Sequence, residues 1–244
     1  MIFLRSLAFN IAFYITMVCF MLMMFVAMVL PRRVNIWLVR SFSVAQDFLL
    51  RVICGTRVEI RGLEKVPEGP VIVASKHQST WETFSILRIV DDPAIVMKRE
   101  LGWIPLFGWL ALQCRMIMVH RGKKGAAIKS LVRGAKTVVA DGRQIIIFPE
   151  GTRRAPGAPP HYKAGTHALY SNLEIPCMPV ALNSGLYWPR RKFERYPGTI
   201  VMEILDPIMP GLGRKAFNAA LEESIESASN RLIAEASERD GRTL

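Results

Sequence analysis

Cysteine and histidine are scarce in this chain, four of each, and their placement excludes much. Cys19, Cys54, Cys114 and Cys177 lie far apart among apolar neighbours. They form no C-x-x-C pair and no metal-ligand spacing, so no resident metal is expected and the thiols read as buried and free in a reducing compartment. There is no P-loop, no G-x-S-x-G elbow and no H-E-x-x-H helix. Gly211-Leu212-Gly213-Arg214-Lys215-Ala216 copies G-x-G-x-x-A, but a single helix follows it and no second β unit completes a dinucleotide site. Acidic residues are outnumbered, 20 against 32 Lys and Arg, for a formal charge of +12. Such an excess suits nucleic acid or an anionic membrane surface. No RNA-binding signature, zinc-finger spacing or aromatic ladder accompanies the basic residues, so nucleic acid is not expected as a partner.

Charge is missing altogether from Leu7 to Leu30, a run of 24 residues. That length spans a hydrocarbon core of about 30 Å. The run is too long for a cleaved signal, and no A-x-A site follows it. Arg32, Arg33 and Arg40 come after it, whereas only Arg5 and the terminal amine come before. The positive-inside rule then places the bulk of the protein in the cytoplasm. Val34 to Cys54 carries Arg40, Asp47 and Arg51, which makes it a poor span and a fair amphipathic helix. Pro31 stands between the two segments, so a single span with a surface helix competes with a half-inserted helical hairpin, the hairpin being slightly favoured. Residues 1–55 thus read as a membrane anchor and residues 56–244 as one globular domain.

Beyond Thr56 the texture alternates. Val58-Glu59-Ile60, Val71 to Ala74, Ala94 to Met97, Met116 to Val119, Gln144 to Phe148, Met178 to Leu182 and Thr199 to Leu205 read as strands. Trp81 to Val90, Ala126 to Ala140 and Ala164 to Leu173 read as helices, and Phe217, Leu221, Ile225, Ala228 and Leu232 mark one face of a closing helix. This alternation implies an α/β fold with a mainly parallel central sheet flanked by helices on both faces.

Three polar clusters carry the chemistry. In Ala74-Ser75-Lys76-His77-Gln78-Ser79-Thr80-Trp81-Glu82-Thr83, His77 follows an apolar strand, at the sheet edge where open α/β folds place ligands. Glu82 lies five positions on, in the first turn of the next helix, close enough to hold the imidazole as a general base. Ser79-Thr80-Trp81-Glu82 is also a capping box, in which Glu82 merely closes a helix start. The roles are compatible, because a carboxylate has two acceptor oxygens. The second cluster, Pro149-Glu150-Gly151-Thr152-Arg153-Arg154, ends the β-branched run Ile145-Ile146-Ile147. Gly151 allows close backbone approach and Arg153 offers a fork for a phosphate, although a plain turn with solvated arginines reads as well. The third, Lys98-Arg99-Glu100-Leu101-Gly102-Trp103-Ile104-Pro105-Leu106-Phe107-Gly108-Trp109, joins a basic head to an apolar, tryptophan-bearing body. A buried helix would explain that body; an amphiphilic ligand or a membrane interface would explain both parts. His120, His161 and His167 lack carboxylate spacing and read as structural or exposed.

The order His-x4-acid, then Lys-x-Glu-Leu-x-x-Ile-Pro-x-x-Gly-Trp, then Phe-Pro-Glu-Gly-Thr-Arg resembles the glycerolipid acyltransferase family, and is most similar to its bacterial lysophosphatidate (1-acylglycerol-3-phosphate) acyltransferases. Pro179-Val180 resembles the family's fourth block, and Tyr162-Lys163-Ala164-Gly165 its usual Phe-Lys-x-Gly step. The resemblance covers roughly Val58 to Leu205. Glu82 stands where the family more often has aspartate, and the loop Arg154 to Pro160 is unusually rich in proline and alanine.

The resemblance implies acyl transfer from a thioester, of coenzyme A or acyl carrier protein, to the sn-2 hydroxyl of lysophosphatidate, with no further cofactor. His77 and Glu82 are the expected catalytic pair; Lys98, Glu150, Gly151, Thr152 and Arg153 are expected at the substrate. Backbone N–H groups near the His77 loop are the candidates for an oxyanion hole. The enzyme would sit on the bacterial inner membrane with its domain on the cytoplasmic face. Another acceptor, such as a lyso-ornithine lipid or glycerol 3-phosphate, stays open. A non-catalytic membrane-surface or nucleic-acid-binding protein is the remote alternative.

Overall fold

A computed structural model of the chain describes residues 1–119 and 124–243; His120 lies outside them. Seven strands, β1 (Thr56–Arg61), β2 (Ile72–Ser75), β3 (Pro93–Lys98), β4 (Ile117–Val119), β5 (Gln144–Ile147), β6 (Cys177–Leu182) and β7 (Gly198–Ile204), form one sheet. Its order is β1-β7-β6-β2-β5-β3-β4. Every neighbouring pair is parallel except β6 and β7, so β1 and β7 run against the other five. The mainly parallel sheet expected from the alternation is therefore present.

Strand side chains alternate between two apolar layers. Val71, Val73, Ile146, Met178 and Val180 face one of them, with Trp81, Phe84 and residues of the amino-terminal helices. Ile72, Ala74, Ile145, Ile147 and Cys177 face the other, with α5 (Lys124–Ala140), α6 (Ala164–Leu173) and α8 (Arg214–Asp240). The chain leaves β2 for the first layer through α3 (Trp81–Ser85) and leaves β5 for the second through α6. Adjacent strands whose exits diverge to opposite faces open a crevice at their carboxyl ends, which is where ligands enter this class of fold.

The expected helix Trp81 to Val90 is shorter in the structure. It ends as α3 and continues as a 3-10 turn, Ile86–Arg88. The Arg40 guanidinium donates to the carbonyls of Leu87, Val90 and Asp91 and so ties this turn to α2. The tryptophan-bearing segment becomes a 3-10 turn, Arg99–Trp103, and α4, Phe107–Gln113.

The amino-terminal segment is a helical hairpin, α1 (Ile2–Val26) against α2 (Arg32–Leu49). Residues 2–29 are long and apolar enough to cross a membrane. Yet α1 is packed on the domain along its length. Ser6 and Asn10 bond the loop at Phe193 and Arg195, Phe9 and Phe13 meet Trp188 edge-on, and Phe25 lies 6.0 Å from Trp109. One side of α1 is thus held against the domain, while most of its residues stay exposed. Its buried stripe is narrow (Ser6, Phe9, Phe13 and Met24). Cys19, off that stripe, is exposed, so only Cys54, Cys114 and Cys177 are the buried thiols the sequence suggested.

α2 reaches the crevice directly. Asp47 accepts the indole N–H of fully buried Trp81 at 2.8 Å and pairs with Arg88 at 2.6 Å, while Ser43 and Ser85 share a hydrogen bond of 3.0 Å. Burying a tryptophan is favourable only when its N–H finds an acceptor. Asp47 supplies it and so ties the hairpin to the residue beside Glu82.

At the opposite edge Asp92 bridges Arg32 of α2, at 2.5 Å, and fully buried Arg143, at 3.0 Å. Burial by itself would raise the Asp92 pKa; the hydrogen bond from Arg32 and the attraction of Arg143 outweigh it and hold the carboxyl below its ordinary value. The stabilisation is present above the unfolded pKa of about 4 and is lost as pH falls through the depressed folded value. Asp92→Asn should cost roughly 1–3 kcal/mol at neutral pH, because it strands the Arg143 guanidinium. In urea titrations the deficit should shrink below about pH 4, where wild type loses the same charge.

Candidate active site

His77 leaves the end of β2 and is held on two sides. Its Nδ1 lies 3.0 Å from Glu82 Oε1, and its ring stacks on Phe148 with centroids 4.0 Å apart and planes 21° from parallel. Phe148 follows β5, so the two strands that flank the crevice clamp one imidazole. The side chain is 12% exposed, whereas Glu82 is fully buried. Among the described residues nothing bonds the Nε2 atom. With the proton on Nδ1 and directed at the carboxylate, the lone pair of Nε2 is the group left to act on a substrate.

Glu82 plays both of its expected roles. Its Oε1 accepts the backbone N–H groups of Gln78 and Ser79, each at 2.6 Å, while Ser79 Oγ accepts the N–H of Trp81 at 3.0 Å. Glu82 thus supplies its half of the capping box, while Ser79 caps Trp81 rather than Glu82, and the same carboxylate oxygen receives the imidazole. The N–H groups of Gln78 and Ser79, candidates for an oxyanion hole, are thereby committed to Glu82.

The second cluster meets the first across the crevice. Arg153 Nη1 donates to Thr80 Oγ1 at 2.5 Å, the Arg154 N–H donates to the His77 carbonyl at 2.8 Å, and Gly151 takes a φ of +61° that favours glycine. Thr152 is exposed and Arg153 partly so. Arg190, which sequence reasoning passed over, donates to the Arg153 carbonyl at 2.5 Å. Lys98 ends β3 at the same sheet edge, exposed, three residues beyond Ile95, the partner of Ile146 in β5. The structure therefore gathers His77, Glu82, Thr152 and Arg153 at one crevice, with Lys98 two strands away along its edge.

Glu150 departs from the substrate contact expected of it. It is 1% exposed and faces Lys76, itself 2% exposed, at 3.1 Å. Lys76 Nζ also meets Glu226 Oε1 of α8 at 2.7 Å, where Tyr162 donates a further hydrogen bond at 2.8 Å. Burial raises the Glu150 pKa, and the attraction of Lys76 opposes that rise without cancelling it. This network fastens the residue before His77 to β5 and to α8. A cleft of about 450 Å³ opens beside it, between residues 157–160 and α8, lined by Glu222, Glu223 and Glu226 rather than by His77. Of the other histidines, His161 is exposed and His167 packs near Phe217 at 5.8 Å.

A family model described as Acyltransferase matches residues 57–183, more than half of the chain, including His77, Glu82, Lys98 and Arg153. The chain belongs to that acyltransferase family. It is 37% identical over 216 residues to a 1-acyl-sn-glycerol-3-phosphate acyltransferase of Pseudomonas aeruginosa, covering 87% of this chain and 83% of that one. A mouse 1-acyl-sn-glycerol-3-phosphate acyltransferase alpha is 27% identical over 206 residues, 82% of this chain and 71% of the relative. The crystal structure of the 1-acyl-sn-glycerophosphate (LPA) acyltransferase PlsC from Thermotoga maritima shares the fold, with a TM-score of 0.79 at 21% identity over 95% of this chain and 98% of that one.

The family's sequence blocks do not reveal the Lys76 network, since a lysine beside the histidine looks solvated until its two carboxylates arrive from 74 and 150 residues away. Lys76→Met should destabilise the fold by about 3–5 kcal/mol at neutral pH, since it leaves the buried Glu150 carboxylate with only the more distant Arg154, at 3.8 Å. The loss should lessen toward pH 4–5, about the ordinary carboxyl range, where Glu150 takes up a proton more readily folded than unfolded. Chemical unfolding of Lys76→Met and of Lys76→Met/Glu150→Gln measures this. The double variant should recover most of the loss.

Proposed function

We propose that the protein transfers an acyl group from a thioester to the sn-2 hydroxyl of lysophosphatidate, giving phosphatidate. The observation that carries the mechanism is the His77–Glu82 contact of 3.0 Å with Nε2 left open at the crevice. The relatives named as 1-acyl-sn-glycerol-3-phosphate acyltransferases support the choice of acceptor.

In this reading Nε2 takes the hydroxyl proton as the oxygen attacks the thioester carbonyl. The new C–O bond forms, the C–S bond breaks, and the proton passes from the imidazolium to the departing thiolate. Glu82 holds the Nδ1 proton and offsets the charge that the ring acquires. Stacking on Phe148 keeps the ring in plane during the transfer. Direct attack needs no enzyme nucleophile and no resident cofactor, and the donor is a co-substrate, either acyl-CoA or acyl carrier protein. Arg153, aligned by Thr80 and Arg190, is the first candidate to neutralise the acceptor phosphate. Lys98 is the second, and Thr152 and Gly151 offer hydrogen bonds alongside.

The surface supports a lipid substrate. The outer side of α1 exposes Ile11, Tyr14, Ile15, Val18 and Leu22, and Trp103, Ile104, Trp109 and Leu112 extend the apolar face where α1 meets α4. A patch of this size, with a +12 chain behind it, fits an anionic bilayer. We place the hairpin half-inserted in the inner membrane from its cytoplasmic side, with the crevice at the interface. Lysophosphatidate then reaches His77 without leaving the lipid.

Purified full-length protein in detergent, assayed for free-thiol release, tests the proposal. Release should require lysophosphatidate and fall about 10²–10⁴-fold in His77→Ala. Release with only a lyso-ornithine lipid or glycerol 3-phosphate would keep the mechanism and change the acceptor. No His77-dependent release with any acceptor and either donor would overturn it.

A further inference from the structure

Glutamate is one methylene longer than aspartate, so its carboxylate must be held at a greater distance from the backbone. In this chain Glu82 Oε1 is occupied by His77, Gln78 and Ser79, and Oε2 extends to the turn after β6. There Ser184 Oγ donates to Oε2 at 2.8 Å, and both residues are completely buried. Ser184 opens the short helix α7, Ser184–Tyr187, and its position is set from three directions. Asn183 is tied to β7, with its Oδ1 accepting the Val201 N–H at 2.8 Å. The Gly185 N–H donates to Gln78 Oε1 at 3.1 Å, which joins α7 to the residue after His77. A Cβ on Gly185 would lie 2.8 Å from the Pro156 ring and 3.0 Å from Gln78 Cβ, so only glycine seats α7 this closely.

We propose that Ser184 is a positioning residue for the acyl transfer: its hydroxyl holds the Glu82 carboxylate so that Oε1 faces His77 Nδ1 and Nε2 faces the acceptor. Serine and glutamate act as a matched pair, and together they do what a shorter aspartate does without the serine. A hydroxyl has one proton to give, and bonding Oε2 fixes the rotation of the carboxylate about its last bond. Ser184 touches neither substrate nor imidazole; it acts through Glu82 alone. The inference rests on His77 being the general base.

A double-mutant cycle on the full-length protein decides it, using thiol release with lysophosphatidate. Ser184→Ala should lower kcat about tenfold and leave KM for lysophosphatidate within about twofold, since a lost orienting contact degrades chemistry and not binding. In the Glu82→Asp background the same substitution should change kcat less than about twofold, because aspartate cannot reach Ser184. Ser184→Cys, which keeps the volume and donates weakly, supplies the comparison should Ser184→Ala melt. Near-wild-type kcat in Ser184→Ala, or losses that multiply with Glu82→Asp, would overturn the role of Ser184 while leaving the base intact. Full activity in His77→Ala would overturn the base itself.

Discussion

One buried carboxylate organises the site. Glu82 receives four hydrogen bonds from two segments distant in sequence: the His77 ring, two backbone N–H groups of the loop after β2, and Ser184 from the turn after β6. Such a group is costly to bury unless every donor is in place, so each donor also fixes the others. The loop cannot shift without unpairing Glu82, and Glu82 cannot turn without releasing His77. The start of α3 and the orientation of the His77 ring therefore depend on the same contacts.

Around this centre the molecule is tied in three directions. Lys76 draws β5 and α8 to the residue before His77 through two carboxylates. Trp81, the neighbour of Glu82, hands its indole N–H to Asp47 and so connects the site to the amino-terminal hairpin. Arg153 and Arg154 close over the crevice from the β5 side by way of Thr80 and the His77 carbonyl. The amino-terminal hairpin and the helix that carries Glu82 are therefore joined by a hydrogen bond.

Glu82 stands where aspartate was the commoner expectation, and its far oxygen has a donor of its own. That donor is Ser184, four residues after the Pro179-Val180 pair that marks the strand.

Most of the scaffold was legible because its signals are local. Val71-Ile72-Val73 and Ile145-Ile146-Ile147 are β-branched runs that only a buried parallel strand explains, and polar residues directly after them fall at the ligand edge by topology. His77, Glu82 and Arg153 were found by that rule. Applied to β6, the same rule points at Asn183-Ser184-Gly185, and reading its apolar run only as a strand is why Ser184 was missed. Tertiary structure alone decided the rest. Whether Glu150 met substrate or an internal cation depended on where Lys76 and Glu226 came to lie, and charges distant in sequence pair only once the sheet order is set. The turn after α3 is tied by Arg40, a residue of another helix. The reversal of β7 and β1 depended on which edge was free to pair. Hydrophobic period and turn chemistry act over a few residues and are written in the chain; partners for buried charges are chosen in three dimensions.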